Sequence, residues 1–373
     1  MPKGNATAAD MLLQTQDLCV EFGSTPVVQA VDGVTLDIHP REILGLVGES
    51  GSGKTVFSLS VLRLIGKAGR IRRGRILWQG RDLLEFGEEE MRRVRGSEIA
   101  MIFQNPQASL NPVRTIGAQI SSVIRLHQKC APATARQESL RWLEAVRITD
   151  PIRVYEAFPH QCSGGMCQRI LIAMALACRP KLLIADEPTA SLDVTIQAQI
   201  MDLLLEIRET YGTAILLVSH DLGVIARMCD RIAVMYCGRI VEMAESRDLY
   251  SRPQHPYTRL LLQSVPVPDP SHRPTKIAQP HDFVGLDAIS QGGCRFRPRC
   301  AEAEPECAKT EPLLGRISQE GHHVACLPRQ REAADHREKR RNDDGVPEVH
   351  EDTSSVAGNE NIIDPWIGLS QRV

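Results

Sequence analysis

The chain has 373 residues, of which 42% are hydrophobic and 24% are charged, and its formal net charge is -2. This balanced charge gives no strongly basic face of the kind that nucleic-acid binding usually needs, so nucleic acid is not an expected partner. No run approaches the roughly 18 consecutive apolar residues of a membrane span, and the first residues lack the order of a signal peptide. We therefore expect a globular protein that stays in the cytosol.

The first predicted elements are strands that lead into a glycine-rich loop. From Val27 to Val47 the apolar runs VVQAV, VTLDI and EILGLV are separated by turn residues. A glycine-rich stretch follows, and after it comes the helical pattern VFSLSVLRLI. The sequence therefore predicts the order strand, loop, helix in this part of the chain.

A helical insert and an α/β alternation follow. Residues 105–170 are mostly helical in pattern, with little sign of strands. From Ile170 onward, the strand-like runs KLLIAD, TAILLVS and RIAVMYCGRIVE alternate with helical stretches. Strands separated by helices predict a mostly parallel, helix-covered sheet, so residues 1–265 are assigned to one α/β domain.

The last hundred residues differ in composition from the rest. Residues 266–327 are rich in Pro and Cys and have weak periodicity. This predicts a small appended domain that needs a stabilising cross-link or metal site to fold. Residues 328–373 contain too few apolar side chains to form a core of their own. We predict that this last segment is a disordered polar tail.

The glycine-rich stretch GESGSGKT fits the phosphate-binding pattern G-x-x-x-x-G-K-[ST], between a predicted strand and a predicted helix. In such loops the backbone N–H groups surround the phosphates, the Lys reaches the β and γ phosphates, and the hydroxyl binds Mg²⁺. A Gly-Ser linker that opens a helix by chance is the structural alternative. The predicted nucleotide-binding residues are Gly48, Glu49, Ser50, Gly51, Ser52, Gly53, Lys54 and Thr55.

The strand KLLIADEP ends in two adjacent carboxylates. Together with the phosphate loop, it predicts that Asp186 completes the Mg²⁺ shell and that Glu187 polarises a water against the γ-phosphate. A strand that ends in Asp-Glu is by itself more often a solvated strand end. A phosphate loop with an acidic strand would also suit a GTPase, a small-molecule kinase or a DNA-repair ATPase.

The stretch SGGMCQR, which precedes an apolar helix, distinguishes these classes. It resembles the signature of the ATP-binding-cassette (ABC) family, in which Ser163, Gly164 and Gly165 would bind the γ-phosphate held by another subunit. The resemblance extends from about Leu13 to Cys326. It implies an ATPase with a P-loop NTPase cassette fold, composed of a RecA-like core, a β subdomain and a helical subdomain.

Other positions receive roles from the same resemblance. Gln104 in FQNPQASLNP matches the loop that senses Mg²⁺ and the attacking water while touching the membrane subunit. Asp193 lies in the loop that crosses between the two ATP sites, and His220 matches the switch histidine that contacts the γ-phosphate. Phe22 lies where the family stacks adenine on a ring, although an ordinary core position would explain it equally well.

Finer motifs resemble the oligopeptide and dipeptide importers of bacteria, among them IAMALACRPKLLIADEPTASLDVTIQAQI and HPYTRLLLQSVP. That resemblance implies a complex with a second ABC ATPase, two transmembrane permease subunits and an extracytoplasmic solute-binding protein. It also implies a peripheral position on the cytoplasmic face of the inner membrane. Relatives carry nickel or other small solutes, so import of these remains an alternative to import of peptides.

Two positions depart from the signature pattern. Cys162 stands where a large apolar residue is usual, and Cys167 replaces the basic residue that commonly follows Met166. A degenerate, low-activity partner subunit therefore remains an alternative. A soluble cassette ATPase acting on DNA or ribosomes is disfavoured, because the sequence shows neither long heptads nor a second phosphate loop.

Four of the eleven cysteines lie amid Gly, Pro and charge in the C-terminal segment, and these are Cys294, Cys300, Cys307 and Cys326. Four thiolates suit either tetrahedral zinc or an iron-sulfur cluster, and unligated thiols are the structural alternative. The resemblance to the peptide importers implies a [4Fe–4S] cluster. Because no open ligand position is evident, we expect the site to stabilise the fold of this segment and not to catalyse a reaction.

Overall fold

The computed structural model describes residues 11–23, 27–190, 192–264, 292–318 and 321–343, with side chains up to residue 337 in the last range. The strands are β1 (Leu13–Phe22), β2 (Val28–Ile38), β3 (Ile43–Val47), β4 (Gly69–Trp78), β5 (Arg81–Asp82), β6 (Ile99–Ile102), β7 (Leu182–Asp186), β8 (Ala214–Ser219), β9 (Arg231–Tyr236), β10 (Arg239–Glu245), β11 (Gly315–Arg316) and β12 (His323–Val324).

The α-helices of these ranges follow in chain order. They are α1 (Lys54–Val61), α2 (Glu88–Val94), α3 (Pro106–Ser109), α4 (Ile116–Gln128), α5 (Pro132–Ala145), α6 (Pro151–Glu156), α7 (Gly164–Leu176), α8 (Val194–Tyr211), α9 (Leu222–Met228), α10 (Ser246–Ser251), α11 (Pro256–Gln263) and α12 (Leu327–Asp343). None of these helices is long and apolar enough to cross a lipid bilayer.

The strands form two sheets. The larger has the order β11-β12-β10-β9-β3-β8-β7-β6, and its strands from β9 to β6 run parallel. Every residue of β3, β7 and β8 is buried, as expected for strands that are covered on both faces. The smaller sheet is antiparallel, with the order β2-β1-β4-β5. The predicted α/β cassette with a mostly parallel core is confirmed.

One predicted strand is two strands. The run RIAVMYCGRIVE is divided between β9 and β10, which pair antiparallel as a hairpin. The two residues between them, Cys237 and Gly238, have φ angles of 44° and 84°. Positive φ at both central residues is typical of the tight hairpin turn whose twist matches that of the strands. The apolar pattern continues across the turn because both strands are buried.

The helical insert lies where the sequence predicts it. Helix α4 covers the predicted stretch IGAQISSVIRLHQ, and Thr115 caps it by accepting a hydrogen bond from the N–H of Ala118. Ile116, Ile120 and Ile124 are fully buried at a spacing of four, which places them on one face. The helices of this region therefore share a core with the parallel sheet.

The cysteine-rich segment packs against the cassette, and the described residues up to Ala333 form one compact unit. Strand β12 pairs with β10, where Glu242 is fully buried. Its carboxylate accepts hydrogen bonds from the N–H groups of Gln254 and His255, and it lies 2.7 Å from Nε2 of His322. These polar contacts fix the segment to the sheet edge.

Helix α12 lies within the polar segment predicted to be disordered. Most of its residues are strong helix formers, and Arg329 pairs with Glu332 one turn later. The structure therefore differs from that prediction as far as residue 343. Residues 344–373, and residues 265–291 of the predicted C-terminal domain, lie outside the described ranges.

Candidate functional site

The phosphate-binding loop joins β3 to α1, as the sequence predicts. Gly53 has a φ of 107°, and a Cβ there would lie 2.2 Å from the carbonyl oxygen of Ala30, so only glycine fits. Lys54 is 5% exposed, and its Nζ donates to the carbonyl oxygens of Gly48 and Glu49 at 2.8 and 2.9 Å. Burial lowers the pKa of Lys54 despite the nearby carboxylates. The ammonium group is therefore held inside the curl of the loop.

Asp186 ends β7 beside this loop and is 2% exposed. Burial and the neighbouring Glu187 raise its pKa, while a hydrogen bond from the Thr55 side chain acts in the opposite direction. Its Oδ1 has no hydrogen-bond partner. A buried carboxylate oxygen without a partner, next to a hydroxyl, fits a divalent cation such as Mg²⁺, which takes one or two protein ligands and completes its shell with phosphate and water.

Three predicted catalytic side chains meet at Glu187. The amide Nε2 of Gln104 donates to Glu187 Oε2 at 2.7 Å, and Nδ1 of His220 lies 3.2 Å from Glu187 Oε1. The strands β6, β7 and β8 are parallel neighbours, so the residues that follow them emerge at the same sheet edge. Glu187 itself has a φ of 47°, in the left-handed region that non-glycine residues adopt infrequently.

The signature residues lie at a different helix. Ser163 is the N-cap of α7 and accepts a hydrogen bond from the N–H of Met166 at 3.3 Å, with Gly164 and Gly165 in the first turn. A Cβ on Gly165 would lie 3.0 Å from Ile196 of α8, so this turn packs closely on its neighbour. The phosphate loop and the signature therefore present two separate helix N-termini.

Asp193 and Phe22 lie at the ends of two other elements, α8 and β1. Asp193 caps α8 by accepting a hydrogen bond from the N–H of Ile196 at 2.9 Å, whereas Ser191 in the same loop lies outside the described residues. Phe22 ends β1 and is half-buried, with its ring against Gly69 of β4. The Phe22 ring therefore packs against the smaller sheet at the end of β1.

The two departures from the signature are packing positions in this fold. Cys167 is fully buried, and its thiol points to the carbonyl oxygens of Pro159 and Cys162. Burial raises the pKa of Cys167 to about 11, so the thiol is neutral at physiological pH. Arg169, two residues further along α7, donates to the carbonyl oxygen of Val146 at 2.9 Å. The side chain at position 167 therefore packs beneath the signature turn.

Two contacts to the phosphate loop were not predicted. The hydroxyl of Tyr257 accepts a hydrogen bond from the N–H of Glu49, and Arg299 binds the carboxylate of Glu49 through both terminal nitrogens. Both residues are more than 200 positions further along the chain. In the sequence, Tyr257 lies in the motif HPYTRLLL and Arg299 lies in RFRPRC. Nothing in either motif indicates a contact with a loop more than 200 residues earlier.

The four C-terminal cysteines line one pocket together with His255 and Phe296. The N–H of Cys294 donates to the carbonyl oxygen of Cys307 at 2.8 Å, and burial raises the pKa of Cys326 to about 11. Within the ranges that the structure describes, no group of three or more His, Cys, Asp or Glu side chains is arranged to hold a metal ion. The predicted [4Fe–4S] site is therefore not supported by the side-chain arrangement and stays a proposal.

Comparison with known proteins gives two family matches and several relatives. The ABC transporter family matches residues 31–190, and the oligopeptide/dipeptide transporter C-terminal region matches residues 241–307. The probable peptide ABC transporter ATP-binding protein y4tR of Sinorhizobium fredii is 47% identical over 320 residues, 85% of this chain and 95% of that protein. The dipeptide transport ATP-binding protein DppD of Escherichia coli is 43% identical over 317 residues, 84% of this chain and 96% of its own.

Among solved structures, the fold resembles the dimeric ATP-binding cassette MJ0796 in a post-hydrolysis state bound to ADP and phosphate. That structure matches with a TM-score of 0.57 and 26% identity, over 63% of this chain and 99% of its own. The α/β fold with its parallel core sheet agrees with these relationships. The chain therefore belongs to the family of ABC transporter ATPases, in the group that carries the oligopeptide/dipeptide transporter C-terminal region.

Proposed function

We propose that the chain energises the import of dipeptides or oligopeptides by hydrolysing ATP at the loop Gly48–Thr55. The observation that carries this proposal is the convergence of Gln104 and His220 on Glu187, at the sheet edge that also carries the phosphate loop. Acid-base and amide groups in that arrangement suit a water attack on a bound phosphate.

The residues divide the work of hydrolysis. The loop N–H groups and Lys54 bind the phosphates, and the partnerless oxygen of Asp186 with the Thr55 hydroxyl would hold Mg²⁺. When bound, Mg²⁺ neutralises charge on the phosphate oxygens. Glu187 accepts a hydrogen bond from the attacking water and draws its proton, while Gln104 and His220 fix the orientation of the carboxylate.

The assembly that we propose contains two cassettes. Ser163, Gly164 and Gly165 would bind the γ-phosphate held by a second ABC ATPase, identical or homologous, and Phe22 would stack on adenine. Asp193 would lie where the two ATP sites communicate. Closure of the cassettes would pull on two transmembrane permease subunits through the region around Gln104, at the cytoplasmic face of the membrane. An extracytoplasmic binding protein would deliver the solute.

Peptides are favoured as the solute because the relatives that match most of this chain are named for peptide, dipeptide and oligopeptide transport. Nickel or another small solute is the second candidate. The fully assembled Glu187 cluster disfavours a degenerate partner subunit, because such a subunit has no need of an oriented carboxylate.

Reconstitution tests this proposal. The full chain, assembled in proteoliposomes with the membrane and binding proteins encoded beside its gene, should take up labelled dipeptide or oligopeptide in the presence of ATP. Uptake should stop in the Glu187→Gln variant. Uptake of nickel with no uptake of peptides would assign the second candidate. ATP hydrolysis by the unmodified chain that is no faster than that of Glu187→Gln would identify a degenerate subunit.

We also propose that Cys294, Cys300, Cys307 and Cys326 hold a [4Fe–4S] cluster, with zinc as the alternative. The proposal rests on the sequence resemblance and on the pocket that all four cysteines line, although the thiols are not arranged there as a metal site. Anaerobically purified protein should be brown, absorb broadly near about 400 nm and lose the colour in Cys300→Ser. Colourless protein with stoichiometric zinc would favour the alternative, and metal-free protein with an intact fold would refute both.

A further inference from the structure

Glu49, the second residue of the phosphate-binding loop, is held at three points. Its N–H donates to the hydroxyl of Tyr257 at 2.9 Å, and its carbonyl oxygen accepts a hydrogen bond from Lys54 at 2.9 Å. Its two carboxylate oxygens accept one hydrogen bond each from Nη1 and Nη2 of Arg299, both at 2.8 Å. Two of these three attachments come from the C-terminal side of the chain, outside the loop.

Arg299 is itself held in place by aromatic rings. Its guanidinium carbon lies 5.8 Å from the ring centres of Tyr236 and Phe296. These two rings and that of Tyr257 pack as a cluster, with centroid separations of 4.6, 5.4 and 5.5 Å. Tyr257 is fully buried and the Phe296 side chain is 3% exposed, so the cluster is part of the core. A planar guanidinium held in this way loses little freedom when it binds a carboxylate.

The charge of Glu49 gives this contact a consequence for nucleotide binding. The side chain is 43% exposed and belongs to the loop that surrounds a triphosphate. An unpaired carboxylate there would repel the phosphate charges, since two charges of the same sign raise the energy of the complex. The bidentate pair with Arg299 offsets that charge and fixes its direction.

We infer that Arg299 is a positioning residue for ATP binding, which holds Glu49 so that the first bend of the phosphate-binding loop keeps its shape and its carboxylate does not repel the nucleotide. The inference rests on the proposed assignment of Gly48–Thr55 as the nucleotide site. Arg299 directly precedes Cys300, so the same short segment reaches both the phosphate loop and the cysteine pocket. The C-terminal region thereby supports the ATP site of its own chain.

A double-mutant cycle on the full-length chain tests the inference, with the Kd for MgATP measured by calorimetric titration. Arg299→Ala should raise the Kd about fivefold, the order expected for a bidentate, partly exposed ion pair. Glu49→Gln should raise the Kd less than Arg299→Ala does, because it removes the repelling charge together with the pair. In the Glu49→Gln background, Arg299→Ala should then change the Kd by less than about twofold.

Arg259→Ala is the matched control, since Arg259 lies in the same region and, among the residues that the structure describes, bonds to Glu302 and to the carbonyl oxygen of Pro253 and not to the phosphate loop. Its Kd should equal that of wild type. In the reconstituted complex, Arg299→Ala should raise the KM for ATP and keep kcat at saturating ATP. A merely structural role would instead lower the fraction of active protein, and therefore kcat.

The outcomes separate the inference from the function on which it rests. An unchanged Kd in Arg299→Ala, or the same loss in both Glu49 backgrounds, would refute the role of Arg299 while leaving the phosphate loop in place. If Lys54→Ala also bound MgATP like wild type, the nucleotide site itself would be wrong. Should Arg299→Ala fail to fold by circular dichroism, Arg299→Lys decides the matter. Its ammonium keeps the charge but lacks the planar pair of donors that binds both carboxylate oxygens side by side, so it should give a smaller coupling of the same sign with Glu49→Gln.

Discussion

Replacing Glu187 by Gln removes one negative charge and nearly nothing else. The amide oxygen can accept the hydrogen bond that Gln104 donates, and the amide NH₂ can donate to Nδ1 of His220, so both contacts of the carboxylate have a substitute. What is lost is the ability to draw a proton from the attacking water. General-base catalysis contributes about 10²- to 10⁴-fold. Because Gln still orients the water, we expect turnover to fall about 10²- to 10³-fold, or about 3–4 kcal/mol in activation free energy.

The assay is ATP hydrolysis by the reconstituted complex, together with calorimetric titration of MgATP. The Kd should stay within about threefold of wild type, because the phosphate loop and Lys54 are unchanged. Glu209→Gln, an exposed carboxylate at the end of α8, is the control and should keep full turnover. Hydrolysis by Glu187→Gln at near wild-type rates would refute the assignment of the base. If turnover fell only because MgATP binding became weaker, the claim that Glu187 acts in the chemical step and not in binding would be refuted.

Three further predictions concern affinity and stability. Lys54→Ala should weaken MgATP binding about 10- to 100-fold by calorimetry, because the phosphates lose their buried cation; unchanged affinity would contradict the phosphate-loop assignment. Asp32→Asn should lower the free energy of unfolding by about 2 kcal/mol in urea titration, because the buried Arg295 loses a charged partner; a loss equal to that of a surface substitution would contradict this. Glu242→Gln should lower the free energy of unfolding by about 2 kcal/mol, because one buried N–H is left unpaired. Glu245→Gln, at an exposed position, should leave it almost unchanged. Equal losses in the two variants would contradict the anchoring role of Glu242.

The sequence determined the cassette and its local motifs. Gly48–Thr55 join a strand to a helix, an apolar helix follows Ser163, and the runs KLLIAD and TAILLVS contain buried parallel strands, all as predicted. These features depend on short-range physics: the φ angle that glycine permits, the cap that a hydroxyl provides, and the burial that an all-apolar run requires. The meeting of Gln104 with Glu187 required the resemblance to a family, since nothing in the spacing of 83 residues indicates it.

Only the tertiary structure decided how the C-terminal region relates to the ATP site. The turn at Cys237 and Gly238 reverses the chain within one apolar run. The pattern of apolar residues does not reveal such a turn when the strands on both sides of it are buried. The bond from Arg299 to Glu49 spans 250 residues, and it forms because the aromatic cluster around Phe296 brings the segment behind the phosphate loop. Local sequence carries no record of such a contact, because the free energy that selects it comes from packing between residues distant in the chain.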